Sequence, residues 1–168
     1  MDTNHLHLIL NHLPATGLVV ALAVFCLGWL RRNHEFQRLA IGLLVVFALT
    51  AIPVYLTGGS AEETVSRMPG VSKTMIEAHE EAAGISFATM EVLGALGSLG
   101  LILFRKTPAI PKAFAAGLLV LALSTTGLFA WTGYLGGQIR HPEIRAGSPW
   151  ISPLHAGDRW WAPKQSDD

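Results

Sequence analysis

Residues 13–30, 39–56, 84–104 and 113–135 form four apolar stretches of 18 to 23 residues separated by polar connections. At ~1.5 Å rise per residue, each approaches or exceeds the ~20 residues a helix needs to cross a ~30 Å hydrocarbon core. A helix of a soluble bundle shows a polar face with a 3.6-residue period, and LAIGLLVVFALTAI and AFAAGLLVLALS have none. The pattern predicts an all-α, up-and-down bundle of four transmembrane helices within residues 1–145, followed by an irregular tail over 146–168. Connection 57–83 is too long for a simple hairpin. Within it Met68-Pro69-Gly70 signals a turn, and Ser72 is placed to cap a helix running into the third span. In the tail, Trp150, Trp160 and Trp161 suit a membrane interface.

Composition agrees. Hydrophobic residues make up 51% of the chain and charged residues 14%, with mean hydropathy +0.41. Soluble domains carry about 25% charged residues, so water is the wrong solvent for most of this surface. Twelve basic residues balance twelve acidic ones, and this neutrality offers no attraction to nucleic acid. One cysteine, Cys26, excludes an intrachain disulfide framework. The N-terminal segment lacks the basic region and cleavage site of a signal peptide, so the first helix is expected to be retained. The charges are unevenly placed. The connections RRNHEFQR and RKTPAIPK hold Arg31, Arg32, Arg38, Arg105, Lys106 and Lys112 against one acid, Glu35. The positive-inside rule puts both on the cytoplasmic side, giving an N-out, C-out protein of the bacterial inner membrane with both termini periplasmic.

Of seven histidines only His34 lies in a basic connection; this topology assigns His5, His7, His12, His79, His141 and His155 to the outer side. Histidine at the edge of a membrane bundle is a site candidate. Counted from the basic connections, His12 lies about 28 Å away, His79 about 39 Å and His141 about 43 Å. His5 and His7 reach the upper level if the first helix continues outward past Pro14. Small residues line the same helical faces: Ala15, Thr16, Val19 and Ala23 below His12; Ala83, Ser86, Met90 and Gly97 below His79; Thr126, Ala130, Gly133 and Gly137 below His141. Such stripes leave flat room for haem between two imidazoles, or simply let helices pack closely.

Carboxylates share the outer side, with Glu62 and Glu63, then Glu77, Glu80 and Glu81 around His79, then Glu143 beside His141. Histidine mixed with carboxylate is also the ligand set of a non-haem transition metal ion, and His12, His79, His141, Glu62, Glu80 and Glu143 are its candidate ligands. Arg140 and Arg145 are placed to meet haem propionates or the acids of the long connection. Glu91 lies inside the third span, where it either relays protons or is hydrogen-bonded to Thr125 or Thr126.

Asn11-His12-Leu13-Pro14, Thr57-Gly58-Gly59-Ser60-Ala61-Glu62, His79-Glu80-Glu81-Ala82-Ala83 and Leu135-Gly136-Gly137-Gln138-Ile139-Arg140-His141-Pro142-Glu143 together resemble a bacterial family of small four-helix membrane proteins catalogued as a domain of unknown function. The resemblance covers about residues 5 to 145 and implies a four-span bundle with these residues at one membrane face. By analogy with other four-helix cytochromes it points to haem b. The expected function is a redox subunit of b-type cytochrome character, an electron-transfer subunit rather than a stand-alone enzyme. His79 would hold haem near the outer face with His12 or His141, helped by His7, Arg140 and Gly137. Electrons would pass between quinol and a periplasmic carrier or other redox subunits. A non-haem His/Glu metal protein and a cofactor-free accessory subunit of a larger complex are the alternatives.

Overall fold

The computed structural model describes residues 3–68, 71–141 and 144–145. The tail 146–168, with its three tryptophans and His155, lies outside the described residues, as do Pro69, Gly70, Pro142 and Glu143. Five helices follow in order: α1 Thr3–Leu10, α2 Leu13–Leu30, α3 His34–Ser66, α4 Lys73–Leu103 and α5 Lys112–Arg140. No strand occurs among the described residues. α1 and α2 together form one span, and that span, α3, α4 and α5 are each long and apolar enough to cross a membrane. α2 packs against α3, α3 against α4 and α4 against α5, and α5 closes back on α2. The result is an up-and-down four-helix bundle with α1 laid along α3.

α2 begins and ends with its apolar stretch, but α3, α4 and α5 run well past theirs. Thr57-Gly58-Gly59 does not end α3, which continues to Ser66. About six turns of helix before it make continuation cheaper than a break, and the Thr57 hydroxyl donates to Pro53 O (2.8 Å) within the helix. Between α1 and α2 the interruption has a covalent cause. Pro14 has no N–H to give the Leu10 carbonyl, so α1 closes at Leu10 and α2 restarts beyond Asn11 and His12. Ser72 occupies the N-cap of α4, as its place before Lys73 suggests, although its hydroxyl makes no capping bond.

The core is small-sided. Ala21 and Phe25 of α2, Ile41 and Ala48 of α3, Leu93 of α4 and Leu118 of α5 are buried together. A Cβ on Gly94 would collide with the Ala48 methyl, so glycine lets α4 approach α3. The outside is equally apolar, with Leu56 75% and Val120 64% exposed. That much bare hydrocarbon on long helices is what lipid, rather than water, covers.

One end carries the basic connections and is locked by local bonds. Asn33 Oδ1 accepts from Glu35 N (2.9 Å) and Phe36 N (3.1 Å), capping α3. The Arg38 guanidinium donates to Phe104 O (2.8 Å) and Thr107 O (2.7 Å), tying the start of α3 to the end of α4. Phe104 meets Phe114 edge-on at 5.3 Å, and Ile110 is buried beneath the turn. The other end carries the histidines.

Candidate functional site

His79 stands on α4 and reaches across to α5. Its Nδ1 lies 3.0 Å from Thr132 O. A carbonyl only accepts, so Nδ1 carries the proton and Nε2 is left with its lone pair. Gly136 makes this approach possible: a Cβ there would stand 3.0 Å from His79 Cε1 and 3.1 Å from Nδ1. Even an alanine methyl there would require the imidazole to shift by a few tenths of an ångström. Thr132 is bound a second time, its hydroxyl paired with that of Ser86 at 2.8 Å, so α4 and α5 are stitched at two levels of one face.

His7 repeats the arrangement on the opposite side. Because the chain continues as helix α1 beyond Pro14, His7 comes beside α3. Its Nδ1 lies 3.1 Å from Val54 O and 3.2 Å from Thr57 Oγ1. The threonine hydrogen is directed to Pro53 O, which leaves its oxygen to accept, and Val54 O can only accept. Nδ1 is again the donor and Nε2 again the open nitrogen. The two anchors stand at similar heights. Thr57 is 23 residues beyond His34 on α3 and Thr132 is 20 beyond Lys112 on α5, about 34 Å and 30 Å from the basic end. Asn11, one turn from His7 on the same side of the chain, has a buried Oδ1 with no hydrogen-bond partner. A buried polar atom left without a partner marks a place where water or a ligand belongs.

The remaining expected residues are placed differently. His12 is exposed at the N-cap of α2, and Thr16, Val19 and Ala23 below it are exposed as well. His141 is exposed at the C-cap of α5; Ala130 and Gly133 are exposed, and a Cβ on Gly133 would meet nothing within 4 Å. These two stripes therefore line the outside of the bundle, not a slot within it. The stripe of α4 does turn inward, with Ser86, Met90 and Gly97 buried. The physical reason is that α2 and α5 are apolar on every side, so small residues alone do not mark the packed face. α2 buries Gly17, Leu18, Ala21 and Phe25 instead, and α5 buries Leu118, Ala122, Thr125 and Thr132.

Gly137 faces Ile144, whose Cδ1 would lie 3.4 Å from an added Cβ, so Gly136 rather than Gly137 shapes the histidine seat. Arg140 directs its guanidinium to the Met68 sulfur. Arg145 donates to Gln138 O (2.8 Å) and Ile139 O (3.2 Å), closing the last turn of α5, and among the described residues it meets no acid. Glu62 is half-buried on the extension of α3 and Glu80 is exposed. Among the described residues no three His, Cys, Asp or Glu side chains are gathered as a metal ion requires, so His12, His79, His141, Glu62 and Glu80 do not form one centre; Glu143 lies outside those residues. The sequence assigned no role to Thr132, Gly136, Val54 or Thr57, although Thr57 and Gly136 stand within the motifs that carry the resemblance. The only signals for them were the glycine pair in LGGQIRH and the TGG triplet.

Compared with protein-family models, with curated proteins and with solved structures, the chain matches none of them.

Proposed function

We propose that this chain is a b-type cytochrome-like membrane subunit that would hold haem b near its histidine-rich end through His79 and His7. The observation that carries the reading is the shared seating of these two rings. Each gives its Nδ1 proton to a helix carbonyl and keeps Nε2 open, and the two seats lie at similar heights. A carbonyl bond of this kind fixes tautomer and ring orientation and raises the basicity of the ligating nitrogen. A macrocycle brings four nitrogens of its own, so the protein need supply only two imidazoles, and two separate histidines suit it where a three-residue cluster would suit a bare ion.

Haem, when bound, supplies a one-electron couple. The chain's own share is to orient the two imidazoles, to exclude water with the packed α3, α4 and α5, and to present the site at the membrane face. Quinol in the lipid and a redox protein or subunit at the outer face are the proposed electron partners. The six basic residues in the short connections support a bacterial inner-membrane placement with both termini periplasmic. The four-helix family that the motifs resemble is proposed as its relatives on the motif residues alone.

An absorbance spectrum of the purified protein, oxidised and then dithionite-reduced, tests the reading. A Soret band and a reduced alpha band are expected. A well-folded sample lacking both, or one carrying stoichiometric zinc, copper or manganese without haem iron, would end it.

A further inference from the structure

The seam between α3 and α4 carries a polar group that the histidine site does not use. Tyr55 and Phe87 stack across this seam with ring centroids 4.3 Å apart and planes 4° from parallel. Seven residues toward the basic end from Phe87, Gly94 meets Ala48 of α3. Glu91 lies between these contacts, four residues from Phe87 and three from Gly94, and so on the side of α4 that faces α3. It is the only ionisable acid within the four apolar stretches, which contain no Lys, Arg or His. Its Oε1 is buried and has no hydrogen-bond partner. Thr125 and Thr126 do not supply one, since they donate to Leu121 O and Ala122 O of their own helix, both at 2.8 Å. A carboxyl oxygen held away from water without a donor is costly, and in a membrane span it calls for a ligand or a proton.

Three features of the seam select the ligand. It opens to lipid, because Tyr55 is 48% exposed and Ile52, Ala88 and Ala95 beside it are exposed too. Glu91 is twelve residues from Leu103 and twelve from His79, about 18 Å from each, too deep for a phospholipid headgroup. Among the described residues it belongs to no group of three His, Cys, Asp or Glu side chains, so a metal ion finds too few ligands. What remains is a lipid-soluble molecule with an O–H to donate and a flat ring to lie against aromatic side chains. We propose that the α3–α4 seam binds the ring of a membrane quinol, with Glu91 accepting a quinol hydroxyl and the ring resting against the Tyr55–Phe87 stack. The proposal deepens the redox reading by placing its electron donor, yet binding itself requires no haem.

The test uses the full chain in lipid nanodiscs and a carbodiimide that modifies membrane-buried carboxyls, read residue by residue by mass spectrometry. Glu91 is expected to be labelled, and a decyl-substituted benzoquinol is expected to slow that labelling at least threefold. The dimethyl ether of the same quinol, which has no O–H to donate, is expected to leave the rate unchanged, as is the labelling of Glu77 and Glu80 in either case. Tyr55→Ala is expected to keep the label and lose at least half of the protection. Absence of label on Glu91, a rate indifferent to the benzoquinol, or equal protection by the ether would overturn the proposal. The Soret band of the same sample separates the two readings: protection without the band removes the haem assignment and leaves the seam, and the band without protection does the reverse.

Discussion

The two ends of the bundle solve the same problem, how to finish long helices, in opposite ways. At the basic end the connections are short and their polar groups are satisfied locally, by the Asn33 cap and by the two carbonyls that Arg38 collects. At the histidine end α3, α4 and α5 overrun their apolar stretches, α1 is laid along α3, and imidazoles are inserted onto helix carbonyls. There the structure also holds a buried amide oxygen with no partner. The finished end is held by its own hydrogen bonds, whereas the end with unspent lone pairs on oriented rings is the one to which the proposal assigns binding.

That contrast can be broken most directly at His79. Replacing it with Ala should abolish the Soret and alpha bands while the far-ultraviolet circular dichroism of the bundle is unchanged; retained bands would show that the seated imidazole is not a ligand. Gly136→Val should come close to the same loss, because its side chain would occupy the space of the ring, whereas Gly137→Ala should leave the spectrum intact. Equal spectra for the two glycine variants would show that the seat is not what matters. His7→Ala should convert a six-coordinate low-spin spectrum to a five-coordinate one, and His12→Ala should not. The reverse result would move the axial pair to the exposed histidine.

Changes at the basic end should leave the spectrum alone and lower stability. Arg38→Ala removes two charge-assisted hydrogen bonds to carbonyls, worth about 1.5–3 kcal/mol each at most in buried settings and less at this partly exposed site. Thermal unfolding in detergent should show the loss. Asn33→Ala should cost about 1 kcal/mol through its cap, with the haem spectrum again unchanged. Any spectral change from either substitution would mean that the two ends are coupled rather than separate in their roles.

Much of this molecule is legible from the chain. The four spans fall inside the helices that form, save Phe104 at the C-cap of α4; Pro14 stands where the first span is interrupted, and Asn33 is the residue type a helix start needs. The site is only half legible. His79 could be picked from its place above the inward stripe of α4, and His7 by the supposition that helix continues past Pro14. His12 and His141 look equally promising in the sequence and turn out to be exposed. Gly136 and Gly137 are adjacent and chemically identical, yet only one of them faces a ring.

The sequence by itself determined how many membrane-spanning segments there are, the order in which they reverse, and which end is basic and which rich in histidine. Those follow from length, hydropathy and the placing of charge, properties that each segment carries alone. The tertiary structure decided which histidines turn inward and what holds them. A helix that is apolar on all sides bears no mark of its inner face, and the groups that orient His7 and His79 include the backbone carbonyls of Val54 and Thr132. Every residue has a carbonyl, so only the fold could select these two.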